Sequence, residues 1–175
     1  NWKIESNQVN AAFGTSVATA GDVNGDGFDD VIVGAPGYSN GQTNEGAAFV
    51  YYGSGVGLST TPNWQVESNQ TDASLGWSVA SAGDVNGDDY DDVIVGAPWY
   101  SNGQDNEGAA FVYHGSENGL STVAPSLPGP APQPNLLIES DQEFSYFGIA
   151  VSTAGDVDKD GYADIIICAD YYDNG

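Results

Sequence analysis

Three stretches of the sequence concentrate oxygen-bearing side chains at one fixed spacing. They are Asp22-Val23-Asn24-Gly25-Asp26-Gly27-Phe28-Asp29-Asp30, Asp84-Val85-Asn86-Gly87-Asp88-Asp89-Tyr90-Asp91-Asp92 and Asp156-Val157-Asp158-Lys159-Asp160-Gly161-Tyr162-Ala163-Asp164. Positions 1, 3, 5 and 9 carry Asp or Asn in all three. In a tightly turning chain this alternation aims successive oxygens at one centre. A backbone carbonyl at position 7 can add another, and glycine at position 6 permits the sharp turn. The chemistry is coordination of a hard cation. Calcium fits best, because it accepts roughly six to eight oxygens in a flexible shell, whereas magnesium demands a stricter octahedron and keeps its waters. No His or Cys lies in the loops, so zinc and copper are poorly served.

Simple solvated turns would not need acids at four fixed positions in three places. Two carboxylates about 4 Å apart repel by roughly 4 kcal/mol at an effective dielectric of about 20, so three or four in one loop would force it open without a cation. The ions are therefore expected to be structural, contributing part of the folding free energy. An EF-hand opens in the same way but ends on Glu at position 12 between helices. Position 12 here is Val33, Val95 or Ile167, each in a β-prone run. Asp89 replaces glycine at position 6 of the second loop, which is expected to bind most weakly; the third loop, with four carboxylates, is expected to bind most tightly. Loops this open suit affinities on the order of 10⁻⁴ to 10⁻³ M, the range of extracellular calcium modules.

The segments around the loops read as strands. Trp2-Lys3-Ile4-Glu5 and Trp64-Gln65-Val66-Glu67 alternate apolar and polar. Phe13 to Ala18 forms a second run of small residues, Val31-Ile32-Val33 a continuous apolar run suited to burial on both faces, and Ala47 to Tyr52 another β-prone run. Gly, Asn, Asp and Pro separate them, and no window carries a 3.6-residue apolar period. The expectation is four strands per unit and no substantial helix.

The units are internal repeats. Residues 1–62 and 63–124 align without a gap at about 45 of 62 identical positions. A third copy begins near Asn135, delayed by about ten residues in the Pro-rich stretch 124–134, which is expected to be a semi-rigid surface loop. The organisation is thus repeat 1 over 1–62, repeat 2 over 63–134 with its insertion, and a truncated repeat 3 over 135–175. Four-stranded units of this length, stacked on copies of themselves, point to propeller blades; a β-solenoid has shorter coils.

Composition removes other classes. Lys3 and Lys159 are the only basic residues against 25 Asp and Glu, for a net charge of -23. Such a chain repels nucleic acid and anionic membrane surfaces. A 40% apolar content with recurring Val-Ile-Val argues against disorder, and no apolar run is long enough for a membrane-spanning helix. Cys168 follows Ile165-Ile166-Ile167 and is expected to be a small buried strand residue. His114 matches Tyr52 one unit earlier and is expected to be an ordinary strand residue. The chain opens at Asn1 without a charged, then apolar, leader, so an export signal has been removed or was never included. Asn69-Gln70-Thr71 is a lone glycosylation sequon.

Phe13-Gly14 followed by Gly34-Ala35-Pro36, and Leu75-Gly76 followed by Gly96-Ala97-Pro98, each bracket an acidic loop; the third copy has Phe147-Gly148 but Cys168-Ala169-Asp170. In this order the motifs resemble the FG-GAP repeat of integrin α-subunits and bacterial surface proteins. The resemblance implies an all-β fold of four-stranded antiparallel propeller blades, incomplete in this chain, with calcium between the first two strands of each blade. The ligands it implies are Asp22, Asn24, Asp26, the Phe28 carbonyl and Asp30; Asp84, Asn86, Asp88, the Tyr90 carbonyl and Asp92; and Asp156, Asp158, Asp160, the Tyr162 carbonyl and Asp164, for about three Ca2+.

The resemblance also implies an extracellular or cell-surface interaction role without catalysis. The expected partner is a protein or glycan ligand, or copies of the chain itself. Aromatics in Gly37-Tyr38-Ser39-Asn40-Gly41 and Trp99-Tyr100-Ser101-Asn102-Gly103 would either stack on sugars or pack on the next blade. Fewer than three blades cannot close a ring, so the chain is expected to be a segment of a longer polypeptide or to be completed by other chains. Two further readings remain at this point: a structural subunit that self-assembles through blade edges into a surface filament, and a non-catalytic spacer of a larger secreted enzyme.

Overall fold

Each acidic loop joins a strand of small residues to a strand of branched apolar ones, and this hairpin is the start of each sheet. The computed structural model describes residues 2–121 and 134–173. Ten strands run in chain order: β1 Val17–Gly21, β2 Asp30–Ala35, β3 Ala47–Tyr51, β4 Trp64–Glu67, β5 Ser78–Gly83, β6 Asp92–Ala97, β7 Ala109–Tyr113, β8 Leu136–Glu139, β9 Ala150–Gly155 and β10 Asp164–Cys168. They build two four-stranded antiparallel sheets, β1-β2-β3-β4 and β5-β6-β7-β8, and a two-stranded sheet of β9 and β10. No helix occurs among the described residues. The sheets are blade-like and do not close into a ring.

The fourth strand of each sheet comes from the next sequence copy. Trp64–Glu67 pairs with β3, Ala47 facing Glu67, and Leu136–Glu139 pairs with β7, Ala109 facing Glu139. The same segment of the first copy, Trp2–Glu5, is not a strand, contrary to its alternating pattern. Among the described residues no strand lies beside it as β3 lies beside β4, and an isolated extended segment leaves its backbone groups unpaired.

The second predicted strand also shifts. Phe13-Gly14 forms a turn, with Thr15 N–H donating to the Ala12 carbonyl at 3.1 Å and Gly14 at φ 88°, and β1 begins only at Val17. At its far end β1 carries a bulge, since the register slips between Thr19 and Gly21. The slip recurs between Ser81 and Gly83 and next to Asp164. In each copy a hydroxyl (Thr19, Ser81 or Thr153) accepts the N–H of the glycine two residues on, at 3.1, 3.0 and 3.1 Å. These bulges turn the chain out of the sheet and into the acidic loop.

The apolar runs occupy the central strands as expected in the first two sheets. Val93, Ile94 and Val95 are all fully buried, as is Ile32. The main core lies between the first two sheets and includes Val23, Ile32, Val50, Trp64, Val66, Leu75, Val93, Phe111 and Tyr113. A second cluster, with Ala82, Ile94, Ala110, Val112 and Val151, joins the second and third sheets. In the third sheet β10 is an edge strand, so Ile166 is exposed. Cys168 is exposed for the same reason, which corrects its expected burial.

Glycines fix how one sheet meets the next. A Cβ on Gly34 would run into the Gly76 carbonyl oxygen, and one on Gly96 into the Gly148 carbonyl oxygen. The Gly-Ala-Pro glycine of one copy is therefore the seat for the Phe-Gly turn of the following copy. Serines add a second tie: Ser16 Oγ accepts the Val79 N–H at 3.1 Å and Ser78 Oγ accepts the Val151 N–H at 3.0 Å. Of the Pro-rich stretch 124–134, only Pro134 lies within the described residues.

Candidate metal centre

The three acidic loops connect β1 to β2, β5 to β6 and β9 to β10. Each is held by its own side chains accepting backbone N–H groups. In the first, Asp22 Oδ1 accepts from Asp26 at 3.1 Å and Oδ2 from Gly27 at 2.8 Å. Asn24 Oδ1 accepts from Asp26 at 2.9 Å and Asp26 Oδ1 from Phe28 at 3.0 Å. The third loop repeats the pattern: Asp156 accepts from Asp160 and Gly161, both at 3.1 Å, Asp158 from Asp160 at 3.1 Å, and Asp160 from Tyr162 at 2.9 Å. These Asx turns curl each loop back on its own leading aspartate.

In the second loop Asp84 accepts four N–H groups, from Asn86, Gly87, Asp88 and Asp89. Burial raises its pKa, but these N–H groups outweigh that effect and hold the carboxyl below its ordinary value. Asn86 Oδ1 accepts from Asp88 at 3.0 Å, and its Nδ2 donates to Asp88 Oδ2 at 3.0 Å. Asp88 Oδ1 accepts from Tyr90 at 3.1 Å. Position 6 takes the left-handed backbone in every copy, with Gly27 at φ 87°, Asp89 at 70° and Gly161 at 95°.

Position 9 begins the buried strand. Asp30 and Asp92 are fully buried. Asp30 Oδ2 accepts the Val23 N–H at 3.1 Å and Oδ1 the Gly53 N–H at 2.7 Å. Asp92 does the same with Val85 and Gly115, both at 2.9 Å. Burial pushes both carboxyls up to about 6, against the lowering effect of those N–H bonds. A cation beside them would offset that burial cost. Asp164 keeps the bond to Val157, at 2.8 Å. The carboxylate oxygens of Asp156, Asp158 and Asp164 lie within 4.8 Å of one another, close enough to hold one metal ion. Asp160 stands outside that trio.

Sequence reasoning overlooked the contacts between loops. Asp91, at position 8 of the second loop, accepts the Asp22 N–H at 2.9 Å, and its own N–H donates to the Asp22 carbonyl at 3.2 Å. Ala163 N–H donates to the Asp84 carbonyl at 2.8 Å in the same way. The position-7 aromatics pack on position 4 of the preceding loop, since a Cβ on Gly25 would meet the Tyr90 ring and one on Gly87 the Tyr162 ring. The only advance signal was a small residue at position 4 matched with an aromatic at position 7. Gly53 and Gly115, which donate to position 9, also occupy one repeat position.

The aromatics of the β2–β3 and β6–β7 loops pack rather than project. Tyr38 stands edge-on to Phe49 at 5.6 Å and buried Tyr100 to Phe111 at 5.2 Å. Trp99 lies between Trp77, at 4.6 Å, and Tyr146, at 6.1 Å, which bridges the second and third copies. His114 falls one residue past β7, where its N–H donates to Asn135 Oδ1 at 2.8 Å, as Tyr52 N–H does to Asn63 at 2.9 Å.

Comparison with known proteins gives a consistent picture. Residues 13–51, 75–113 and 147–175 match the family model described as the FG-GAP repeat. The chain is 31% identical over 170 residues to integrin alpha-6 of Gallus gallus, covering 94% of this chain and 14% of that protein. It is 29% identical over 176 residues to integrin alpha-5 of Xenopus laevis, covering 96% and 16%. It is 32% identical over 152 residues to phosphatidylinositol-glycan-specific phospholipase D of Rattus norvegicus, covering 85% and 17%. The chain thus spans less than a fifth of these relatives. Each matched segment opens on the Phe-Gly or Leu-Gly turn, and the first two end where β3 and β7 end, so the matches fall on the hairpins that carry the acidic loops. With three such matches over most of its length, the chain belongs to the FG-GAP repeat family.

Proposed function

We propose that the chain is a non-enzymatic, extracellular β-propeller module for adhesion or protein recognition, stabilised by about three calcium ions, one per acidic loop. The carrying observation is the trio Asp156, Asp158 and Asp164, whose carboxylate oxygens stand within 4.8 Å of one another in a loop whose internal hydrogen bonds recur in the other two copies. The ligands are the side chains of Asp22, Asn24, Asp26 and Asp30 with the Phe28 carbonyl, and their equivalents at 84–92 and 156–164. The ions are structural: they neutralise carboxylates that otherwise repel, and hold the β1–β2 type hairpins in shape.

The integrin alpha relatives support a protein ligand as partner and a cell-surface or secreted location. The packing of Tyr38, Tyr100 and Trp99 onto neighbouring rings favours a protein over a glycan at those loops. The likeness to a phospholipase D supports a second reading, a non-catalytic propeller part of a larger secreted enzyme. The test of the calcium reading is a thermal melt followed by circular dichroism. EGTA should lower the midpoint by several degrees and calcium should restore it; a midpoint unmoved by either would remove the structural role.

A further inference from the structure

Asn69-Gln70-Thr71, the sole sequon of the chain, follows β4 on the way to the Leu75-Gly76 turn. β4 ends at Glu67, opposite Ala47 at the start of β3, whereas Asp30 of the acidic loop adjoins Val31, opposite Tyr51 at the end of β3. The sequon therefore stands at the end of the blade away from the acidic loops. Its neighbours are tied inward. Ser68 Oγ donates to the Glu45 carbonyl at 2.7 Å and accepts the Gln70 N–H at 3.1 Å. The Gln70 amide clasps Ser101 twice, Nε2 donating to its carbonyl and Oε1 accepting its N–H, both at 2.8 Å. The same clasp joins Gln8 to Ser39 and Gln142 to Asp173, so position 70 belongs to the fold. Asn69 and Thr71 alternate with these anchors, Asn69 partly exposed and Thr71 exposed. Asn69 Nδ2 donates only to the Glu67 carbonyl among the described residues, at 3.5 Å, the outer limit of a hydrogen bond. The Thr71 hydroxyl bonds to nothing among the described residues.

The fold accounts for Asn69 in part and for Thr71 not at all. Asn69 takes a left-handed φ of 57°, which Asn and Asp both tolerate, and Asp141 holds the same place in the third copy at 55°. An aspartate would serve that bend equally. At position 71 the other copies carry Val9 and Glu143, so packing requires no hydroxyl there. Only the second copy joins a loosely held, outward amide to a hydroxyl two places on, in a surface loop, which is the context an N-glycan acceptor needs. We propose that Asn69 is an N-glycosylation site, an inference that rests on the extracellular reading above. The donor class is an oligosaccharide carried on a polyprenyl diphosphate and presented by a membrane-bound transferase. Asn69 Nδ2 attacks the anomeric carbon, and the new C–N bond forms as the bond from that carbon to the diphosphate oxygen breaks. Polyprenyl diphosphate leaves with the electron pair, and the amide nitrogen gives one proton to a base of the transferase. The Thr71 hydroxyl is the group that the transferase reads. The glycan then covers the blade end opposite the acidic loops and leaves those loops open to calcium.

The test is to pass the full chain through the secretory pathway of cultured mammalian cells and digest it with peptide N-glycosidase. A single downward shift on a gel is expected, with Asn69 converted to Asp in the mass spectrum of its peptide. Thr71→Ser should keep the shift, while Thr71→Ala and Asn69→Asp should abolish it. Asn69→Asp preserves the bend, so an unchanged circular dichroism melt separates loss of the acceptor from loss of the fold. A bare Asn69 in the folded natural sequence overturns the proposal wherever the chain is found, and so does a shift that survives Asn69→Asp. A glycosylated chain that never reaches the medium keeps the acceptor and counts against the extracellular reading instead.

Discussion

The Asp91 carboxylate accepts the backbone N–H of Asp22 at 2.9 Å, so the second acidic loop holds the first at its leading residue. The bond crosses 69 positions of sequence and joins two blades at their loop edge. It is charge-assisted, and such bonds contribute about 1.5–3 kcal/mol, with part-burial placing this one toward the lower end. Asp91→Ala should therefore lower the unfolding free energy by about 1–2 kcal/mol in urea titrations and weaken calcium at the first loop, although it removes a negative charge from an acidic surface. Asp29, at the same place in the first copy, is exposed, and its carboxylate accepts no hydrogen bond from another loop among the described residues. Asp29→Ala should change stability by no more than about 0.5 kcal/mol. Equal effects from the two would mean that the inter-blade bond carries nothing.

The second loop bends through a non-glycine. Asp89 sits at φ 70°, where its counterparts are Gly27 and Gly161. A left-handed L-residue costs about 1–2 kcal/mol, less for Asp than for most, and glycine returns part of the gain by loosening the unfolded chain. Asp89→Gly also removes one carboxylate from a crowded turn. The net expectation is a gain of about 0.5–1 kcal/mol, read as a melting midpoint about 1–4 °C higher. Calcium affinity at that loop should rise rather than fall, because glycine relaxes the left-handed bend while every odd-numbered ligand position is kept. A drop in affinity would make Asp89 a ligand.

Much of this architecture was legible in the residues. The buried strands announced themselves as Val31-Ile32-Val33 and Val93-Ile94-Val95, and the loops through oxygens at fixed spacing, because both depend on local pattern. Strand pairing did not. Trp2–Glu5 and Trp64–Glu67 are nearly the same sequence, yet only the second is a strand, since only it has β3 beside it. Cys168 looked buried beside three isoleucines and is exposed, since among the described residues β10 pairs only with β9. The role of Asp91 was equally hidden: its partner is Asp22 in another blade, and no local rule links position 8 of one loop to position 1 of another. What the pattern could not supply in each case was the identity of the next element in space.

The Phe-Gly and Gly-Ala-Pro motifs owe their glycines to this same inter-blade contact. Gly96 has no room for a Cβ beneath the Gly148 carbonyl, and the atoms that a Cβ would strike belong to backbone. Gly96→Ala must therefore separate the second and third sheets or distort one of them. The expected cost is above about 3 kcal/mol, with proteolysis beginning near β9 and β10 before the first blade is cut. Gly41→Ala is the control: its added Cβ meets nothing, and only its φ of 107° resists, for about 1–2 kcal/mol. If both variants melted alike, close approach of the blades would not be the reason for glycine at position 96.

Charge separates the calcium reading from a purely geometric one. The chain carries 25 acidic and two basic residues, and its acidic loops touch in sequence, Asp91 on Asp22 and Ala163 on Asp84. Loops joined by direct hydrogen bonds lie within the Debye length of about 30 Å at 0.01 M salt, a length that shrinks to about 3 Å at 1 M. In EGTA, raising sodium chloride from about 0.01 M to about 1 M should lift the melting midpoint by several degrees as repulsion is screened. With saturating calcium the loops are already neutralised, so the same change should do little, or lower the midpoint as salt weakens ion binding. A midpoint in EGTA that ignores salt would mean the loops are held by their Asx-turn bonds alone, and that calcium has no repulsion left to relieve.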